Sequence, residues 1–164
     1  MTPAAADRLD LDVTYAALRP WVPRRAQFRT WAAATLAIAS RRAPPRRAVH
    51  AAALSIRVVG AARSRSLNGR YRGKHKPTNV LSFAGPGRLP DGRKRLGELV
   101  ICAPVVAAEA HAQRKTRNQH WAHMTVHGLL HLLGFDHERA DEALKMEKIE
   151  VQILDRLGFS NPYA

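Results

Sequence analysis

Alternating apolar and polar positions in the first two thirds of the chain predict a set of short β-strands. The segment LDLDVTYA (9–16) alternates residue by residue, which is the period of a half-buried strand. The segment ALSIRVVG (53–60) is rich in β-branched residues and ends in glycine, a combination typical of strands. NVLSFA (79–84) and LGELVICA (96–103) stand on either side of a turn-rich loop. We therefore expect four strands.

Two helices are expected between these strands. The first follows Pro23 and is ended by the loop RRAPPRR (41–47). Its buried face is predicted from residues at helical spacing: Phe28, Trp31, Thr35 and Ile38. Residues 61–78 are expected to form a short helix and then a basic loop.

The last third of the chain predicts three more helices. Pro104 is tolerated in the first turn of a helix that continues through 105–115. The next helix runs over about 118–133 and stops at Gly134, since glycine favours the left-handed conformation of a helix cap. The last begins near Glu138. Its buried face is predicted from four residues: Met146, Ile149, Ile153 and Leu157.

The order of these elements predicts an α+β fold. A chain of 164 residues suits one domain and is long enough to bury a core, so we expect a single domain over 1–164. Its single cysteine, Cys102, has no partner for an internal disulfide and is expected in the core. The N-terminal sequence lacks the pattern of a signal peptide, and no apolar run has transmembrane length. A cytoplasmic location is expected, without membrane association.

Positive charge dominates the composition and is unevenly distributed. The net charge is +14, and residues 16–95 contain 19 of the 27 lysines and arginines but a single acidic residue. Residues 136–155 contain 7 of the 13 acidic residues. A segment this basic favours a polyanionic partner, nucleic acid or the ribosome. The alternative is a solubilising surface that happens to be rich in arginine.

The segment HGLLHLLGFDH (127–137) contains the candidate chemistry. Two of its histidines, His127 and His131, are four residues apart and lie on one face of a helix. Gly134 lets the chain turn back, which brings His137 round as a third ligand. Three imidazoles leave one tetrahedral position open, as in catalytic rather than structural zinc sites. The spacing therefore predicts one zinc ion per chain, in a zincin-like site on a helix.

The zincin motif H-E-x-x-H-x-x-G-x-x-H has glutamate, the general base of a protease, where this chain has Gly128. The sequence therefore argues against a peptidase. We interpret the glycine as removing a negative charge from the place where a phosphate would sit. His123 lies one turn upstream of His127 and is expected to be buried beside the site rather than to bind the ion. Asp136 is expected to support the site or to cap a helix.

Three segments, in the same order along the chain, resemble the motifs of a known family. HMTVHGLLHLLGFDH (123–137), SLNGRYRGKHKPTNVLSF (66–83) and LGELVICAPVV (96–106) are similar to motifs of the YbeY family of bacterial endoribonucleases. Two departures are Glu98, where the family usually has aspartate, and His75, where aspartate is common. Neither is a predicted ligand.

The resemblance implies a metal-dependent endoribonuclease, specific for single strands, that acts in 16S rRNA 3′-end maturation and ribosome quality control. It implies a small mixed sheet with one antiparallel strand, packed with helices that bear the three histidines. Its implied partners are the 16S rRNA precursor and the ribosome or its small-subunit proteins, without a preference for DNA. The family arginine corresponds to Arg72, implied to contact the scissile phosphate.

Lys74 and Lys76 are expected to bind backbone phosphates of the substrate rather than to take part in chemistry. Two other functions stay open at this point. One is a different zinc hydrolase, and the other is a non-catalytic ribosome-assembly factor with a structural metal. An open fourth coordination position would favour an enzyme, and a fourth protein ligand would favour a structural site.

Overall fold

The computed structural model describes residues 8–42 and 51–164, which form four strands and five helices. In chain order these are β1 (Leu9–Tyr15), α1 (Arg25–Arg42), β2 (Ala52–Val59), α2 (Ala61–Arg72), β3 (Val80–Ala84), β4 (Lys94–Cys102), α3 (Ala103–Ala112), α4 (Arg117–Leu132) and α5 (Ala140–Arg156). All four predicted strands and all five predicted helices are present, with ends that differ by a few residues. Positions 43–47 of the predicted RRAPPRR loop lie outside the described residues.

The four strands form one mixed sheet in the order β1-β2-β4-β3. β2 pairs in parallel with β1 and with β4, whereas β3 runs antiparallel to β4 and forms an edge. Parallel neighbours require a crossover connection, which α1 supplies between β1 and β2. The expected mixed sheet with one antiparallel strand is confirmed.

Helices cover both faces of the sheet at the β3–β4 side. Leu99 and Ile101 of β4 point into the main core with α1, α4 and α5. Val100 and Cys102 point to the opposite face, because side chains alternate along a strand, and there they pack against Leu67 of α2. α4 and α2 therefore lie on opposite sides of the sheet. No helix in the described part of the chain is long and apolar enough to cross a membrane.

A β-bulge in β4 depends on Gly97. The pairing of β2 with β4 steps from Ala53–Arg95 to Leu54–Gly97, which leaves Leu96 as an extra residue. Gly97 has a φ of +131°, and a Cβ at this position would collide with the carbonyl oxygen of Phe83 in β3. Only glycine permits this approach of the two strands.

Candidate active site

Helix α4 bears two of the predicted ligands. Its first turn is capped by Thr116, whose hydroxyl accepts a hydrogen bond of 3.1 Å from the backbone N–H of Gln119. Near its other end, His127 and His131 are half-buried on one face. The helix ends at Leu132, and Gly134 follows with a φ of +94°, as expected for a left-handed turn.

This turn places His137 beside the two helical histidines. The ring centroids of His131 and His137 are 4.8 Å apart, and those of His127 and His137 are 5.7 Å apart. One nitrogen atom from each of the three rings lies within 4.8 Å of the others. The structure thus brings together the three residues that the spacing selected.

The separation of two of these rings fits a tetrahedral metal ion. Nε2 of His127 and Nε2 of His131 are 3.2 Å apart. Two nitrogen ligands of a tetrahedral zinc ion, each about 2.0–2.1 Å from the metal, lie about 3.3 Å apart. Burial, followed by the neighbouring rings of His127 and His137, lowers the pKa of His131 to about 4. His131 is therefore neutral at physiological pH, as a metal ligand must be.

A buried carboxylate lies behind these rings. Glu150 of α5 has no exposed surface, and its Oε1 accepts a hydrogen bond of 2.5 Å from Nδ1 of His127. Its Oε2 accepts hydrogen bonds from Nε2 of His123, at 3.1 Å, and from the hydroxyl of Tyr163. Burial opposes ionisation, but these hydrogen bonds outweigh it and lower the pKa of Glu150 to about 2. The carboxylate is therefore charged and can only accept.

This hydrogen bond fixes the tautomer of His127. Because a carboxylate cannot donate, Nδ1 of His127 bears the proton and Nε2 presents its lone pair toward His131. Burial lowers the pKa of His123, so that ring also donates to Glu150 as a neutral imidazole. The expectation that His123 is buried beside the site is confirmed.

His123, His127 and Glu150 form a second group of potential ligands within the described residues. The 2.5 Å between Nδ1 of His127 and Oε1 of Glu150 is too short for two ligands of one ion, which lie about 3.3 Å apart. It suits a hydrogen bond. We therefore infer that Glu150 and His123 do not bind a second ion and instead hold His127 in place for the three-histidine cluster.

The three histidines open onto a cleft of about 680 Å³, called here the histidine cleft. Its lining also includes Tyr71 and Arg72, in the last turn of α2. The edge strand β3, Asn79 before it and Leu132 of α4 complete the lining. Since α4 and α2 lie on opposite sides of the sheet, the cleft bends around the edge of β3. Neither helix layer alone contains the site.

Arg72 is exposed and makes no ion pair within 8–42 and 51–164, whereas three other arginines do. The same holds for Lys74 and Lys76, which lie in the loop after α2 and not in the lining of the histidine cleft. Buried Asn68 donates to the carbonyl of Lys76 at 2.8 Å and fastens this loop to α2. The structure therefore places Arg72 in the cleft and the two lysines outside it.

Gly128 has a packing role that the motif did not indicate. A Cβ here would lie 2.9 Å from Leu99 and 3.1 Å from Val80, both in the buried sheet. Ser82 of β3 also donates a hydrogen bond of 3.1 Å to the carbonyl of Gly128. Position 128 therefore faces the sheet, and the glycine permits close packing of α4 on β3. The interpretation that it clears charge from a phosphate site stays a prediction.

Of the two roles expected for Asp136, the helix cap is excluded. Asp136 accepts a hydrogen bond of 2.7 Å from the backbone N–H of His137, and it caps no helix, because the residue before α5 is Arg139. Glu98 lies outside the lining of the histidine cleft and forms a 3.1 Å ion pair with Arg57.

Sequence reasoning missed Glu150 and Tyr163 as members of the site. The available signal was the position of Glu150 beside Ile149 and Ile153, on the face predicted to be buried. A carboxylate on a buried face requires hydrogen-bond donors. The histidines of the predicted site were the candidates for these donors.

The fold and the histidine cluster define a class: α+β proteins with three converging imidazoles able to hold a metal ion. The family model described as Endoribonuclease YbeY matches residues 22–158, and this chain belongs to that family. A curated relative named Endoribonuclease YbeY, from Alkalilimnicola ehrlichii, is 50% identical over 99% of this chain and 97% of its own length. Another of that name, from Stenotrophomonas maltophilia, is 50% identical over 96% of this chain and 94% of its own.

One solved structure supports the fold. The solution structure of TM1509 from Thermotoga maritima matches with a TM-score of 0.54, over 90% of this chain and 91% of that one. The two sequences are 20% identical, so the likeness concerns the arrangement of strands and helices.

Proposed function

We propose that this chain is a metal-dependent endoribonuclease that cleaves single-stranded RNA during 16S rRNA 3′-end maturation and ribosome quality control. One observation carries the proposal: three metal-capable histidines line the same cleft as Arg72, which makes no ion pair within the described residues. A metal ion and an arginine are the two groups that stabilise the charge of a phosphodiester during cleavage. Membership of the YbeY family supports the same reaction.

The proposed metal is zinc, one ion per chain, bound by His127, His131 and His137. Three imidazoles whose ring nitrogens lie within 4.8 Å of one another are a donor set that zinc prefers. When bound, such an ion polarises a phosphoryl oxygen and lowers the pKa of a coordinated water toward about 7.

The other residues act on the substrate or on the ligands. Arg72 donates from its planar guanidinium to the non-bridging oxygens of the scissile phosphate, on which charge develops. Lys74 and Lys76 bind phosphates farther along the strand. Glu150 holds His127 in the tautomer that presents Nε2, and its negative charge strengthens that nitrogen as a donor.

The proposed setting follows from this substrate. The partners are the 16S rRNA precursor and the ribosome or its small-subunit proteins, with no preference for DNA. The compartment is the cytoplasm, where ribosomes mature. We assign the activity to a single domain over residues 1–164.

Two observations disfavour the other functions. The three-histidine group includes no fourth protein ligand among the described residues, whereas structural zinc sites have four. A peptidase of the zincin type needs a carboxylate beside the metal, but position 128 is packed against the sheet.

A direct test compares metal-loaded and chelated protein on single-stranded RNA. We expect cleavage by protein whose zinc content is close to one per chain, loss of cleavage with chelator, and recovery on adding zinc. A duplex of the same sequence serves as the control and should be cleaved much more slowly. Cleavage that persists in zinc-free protein would contradict the proposal.

A further inference from the structure

An exposed aromatic ring lies at the rim of the histidine cleft. Tyr71 is 57% exposed, and among the large exposed apolar side chains of the described ranges it alone lines this cleft. The others are Leu18, Trp21, Leu144 and Tyr163. A large apolar group left uncovered in a concave site indicates contact with a ligand.

The ring of Tyr71 is held in place while most of it stays accessible. Its centroid lies 5.0 Å from that of Phe83, with an angle of 66° between the rings, which is a favourable edge-to-face arrangement. The guanidinium carbon of Arg70 lies 5.5 Å from the same centroid, within reach of a cation–π contact. Tyr71 is also part of the last turn of α2. A ring fixed in this way loses little freedom when a flat group stacks on it.

The neighbours of Tyr71 indicate what that flat group is. Arg72 is the next residue, and Phe83 lines the same cleft. Arg65, Arg70, Lys74 and Lys76 are exposed on α2 and in the loop that follows, and none forms an ion pair within the described residues. An aromatic ring among cations that form no ion pairs is the arrangement with which proteins bind single-stranded nucleic acid, with phosphates on the cations and a base on the ring.

We propose that Tyr71, supported by Phe83, is a stacking site for one unpaired base of the RNA, adjacent to the phosphate held by Arg72. The proposal rests on the proposed function, since it takes RNA as the ligand. It adds a reason for the preference for single strands. A base within a duplex is stacked on its neighbours and paired, so it cannot reach the ring without first leaving the helix.

The first experiment measures affinity rather than cleavage. Binding of a short single-stranded RNA to zinc-loaded protein is followed by fluorescence anisotropy, and the RNA is checked on a gel to be intact. Tyr71→Leu keeps an apolar contact for Phe83 but removes the aromatic face, and we expect its Kd to rise about tenfold, the scale of losing one base stack. Tyr71→Phe should bind several-fold more tightly than Tyr71→Leu. The matched control is Trp21→Leu, an exposed aromatic outside the cleft, which should leave the Kd unchanged.

The second experiment uses RNAs with a single abasic nucleotide placed at successive positions. We expect one position at which the wild-type protein loses about tenfold in affinity, while Tyr71→Leu loses almost nothing further there. The stacking site would be overturned if, at every abasic position, wild type and Tyr71→Leu lost affinity by the same factor. Equal affinity of the two proteins for the intact RNA would also overturn it. These affinities do not depend on catalysis. If the abasic nucleotide and Tyr71→Leu affect binding in this way but the protein does not cleave RNA, only the proposed function is contradicted.

Discussion

Oε1 of Glu150 lies 2.5 Å from Nδ1 of His127, so a fully buried carboxylate orients one of the three histidines. Glu150→Gln offers one acceptor oxygen in place of two, and its amide N–H₂ opposes the donors that now converge on the carboxylate. We expect zinc affinity to fall about 10–100-fold, the usual cost of losing such a partner. Competition with a chromophoric chelator measures it. Asp155→Asn, on the exposed side of α5, is the control and should keep wild-type affinity.

Replacing each of the three clustered histidines tests the metal assignment. His127→Ala, His131→Ala and His137→Ala should each lose most of the bound zinc, because two imidazoles rarely hold the ion at useful affinity. Elemental analysis of purified protein measures the content. His111→Ala is the matched control, since this histidine is exposed at the end of α3. Full occupancy in all three variants would refute the site.

Arg72 separates phosphate chemistry from metal binding. Arg72→Ala should retain its zinc and its fold, but cleavage under single-turnover conditions should slow by roughly 10²–10³, as when one preorganised donor is lost. Arg72→Lys should recover little, since an ammonium cannot supply two parallel hydrogen bonds. Arg63→Ala removes an exposed arginine of the same helix outside the cleft and should cleave normally. A wild-type rate for Arg72→Ala would exclude the role.

Salt dependence reports the phosphate contacts of the basic loop. Affinity for single-stranded RNA should fall as salt rises, with a slope of about 0.7 per contacted phosphate on a double-logarithmic plot. Lys74→Glu combined with Lys76→Glu should flatten that slope by one contact or more. The pair Lys145→Glu and Lys148→Glu, exposed on α5, should change it less. If the two double variants had equal slopes, the basic loop would serve solubility rather than RNA binding.

Substitution of Gly128 is expected to damage packing. Gly128→Glu forces a charged side chain between α4 and β3, where an added Cβ already meets Leu99 at 2.9 Å. We expect a large fall in melting temperature, with Gly128→Ala intermediate because overpacking costs about 1–3 kcal/mol. Gly60→Ala, where nothing lies within 4 Å of the new Cβ, should cost less. A Gly128→Glu protein of normal stability and low activity would support the earlier charge interpretation instead.

The sequence predicted what depends on local periodicity. Alternation found strands, helical spacing found the buried faces of α1 and α5, and the four-residue step from His127 to His131 found two ligands on one face. Gly134 allowed the third ligand to be placed, because a left-handed turn is a local property of glycine. Each of these inferences depends on residues close together in the chain.

The contacts that were missed join residues far apart in the chain. Glu150 is 23 positions from His127, and no local pattern states that their side chains meet. The approach of Gly97 to Phe83, and that of Gly128 to the sheet, depend on how two elements pack. The family resemblance supplied Arg72, but only the fold shows that α2 and α4 reach one cleft from opposite sides of the sheet.

The edge position of β3 has a consequence for the behaviour of the protein in concentrated solution. An edge strand exposes unpaired backbone groups, and these invite pairing with the same strand of another molecule. Here the strand has five residues, and it borders a cleft with Arg72 on its rim, next in the chain to the loop that bears Lys74 and Lys76. Two copies meeting edge to edge would bring these charges together. The cations proposed to bind RNA would thus also oppose such pairing when RNA is absent.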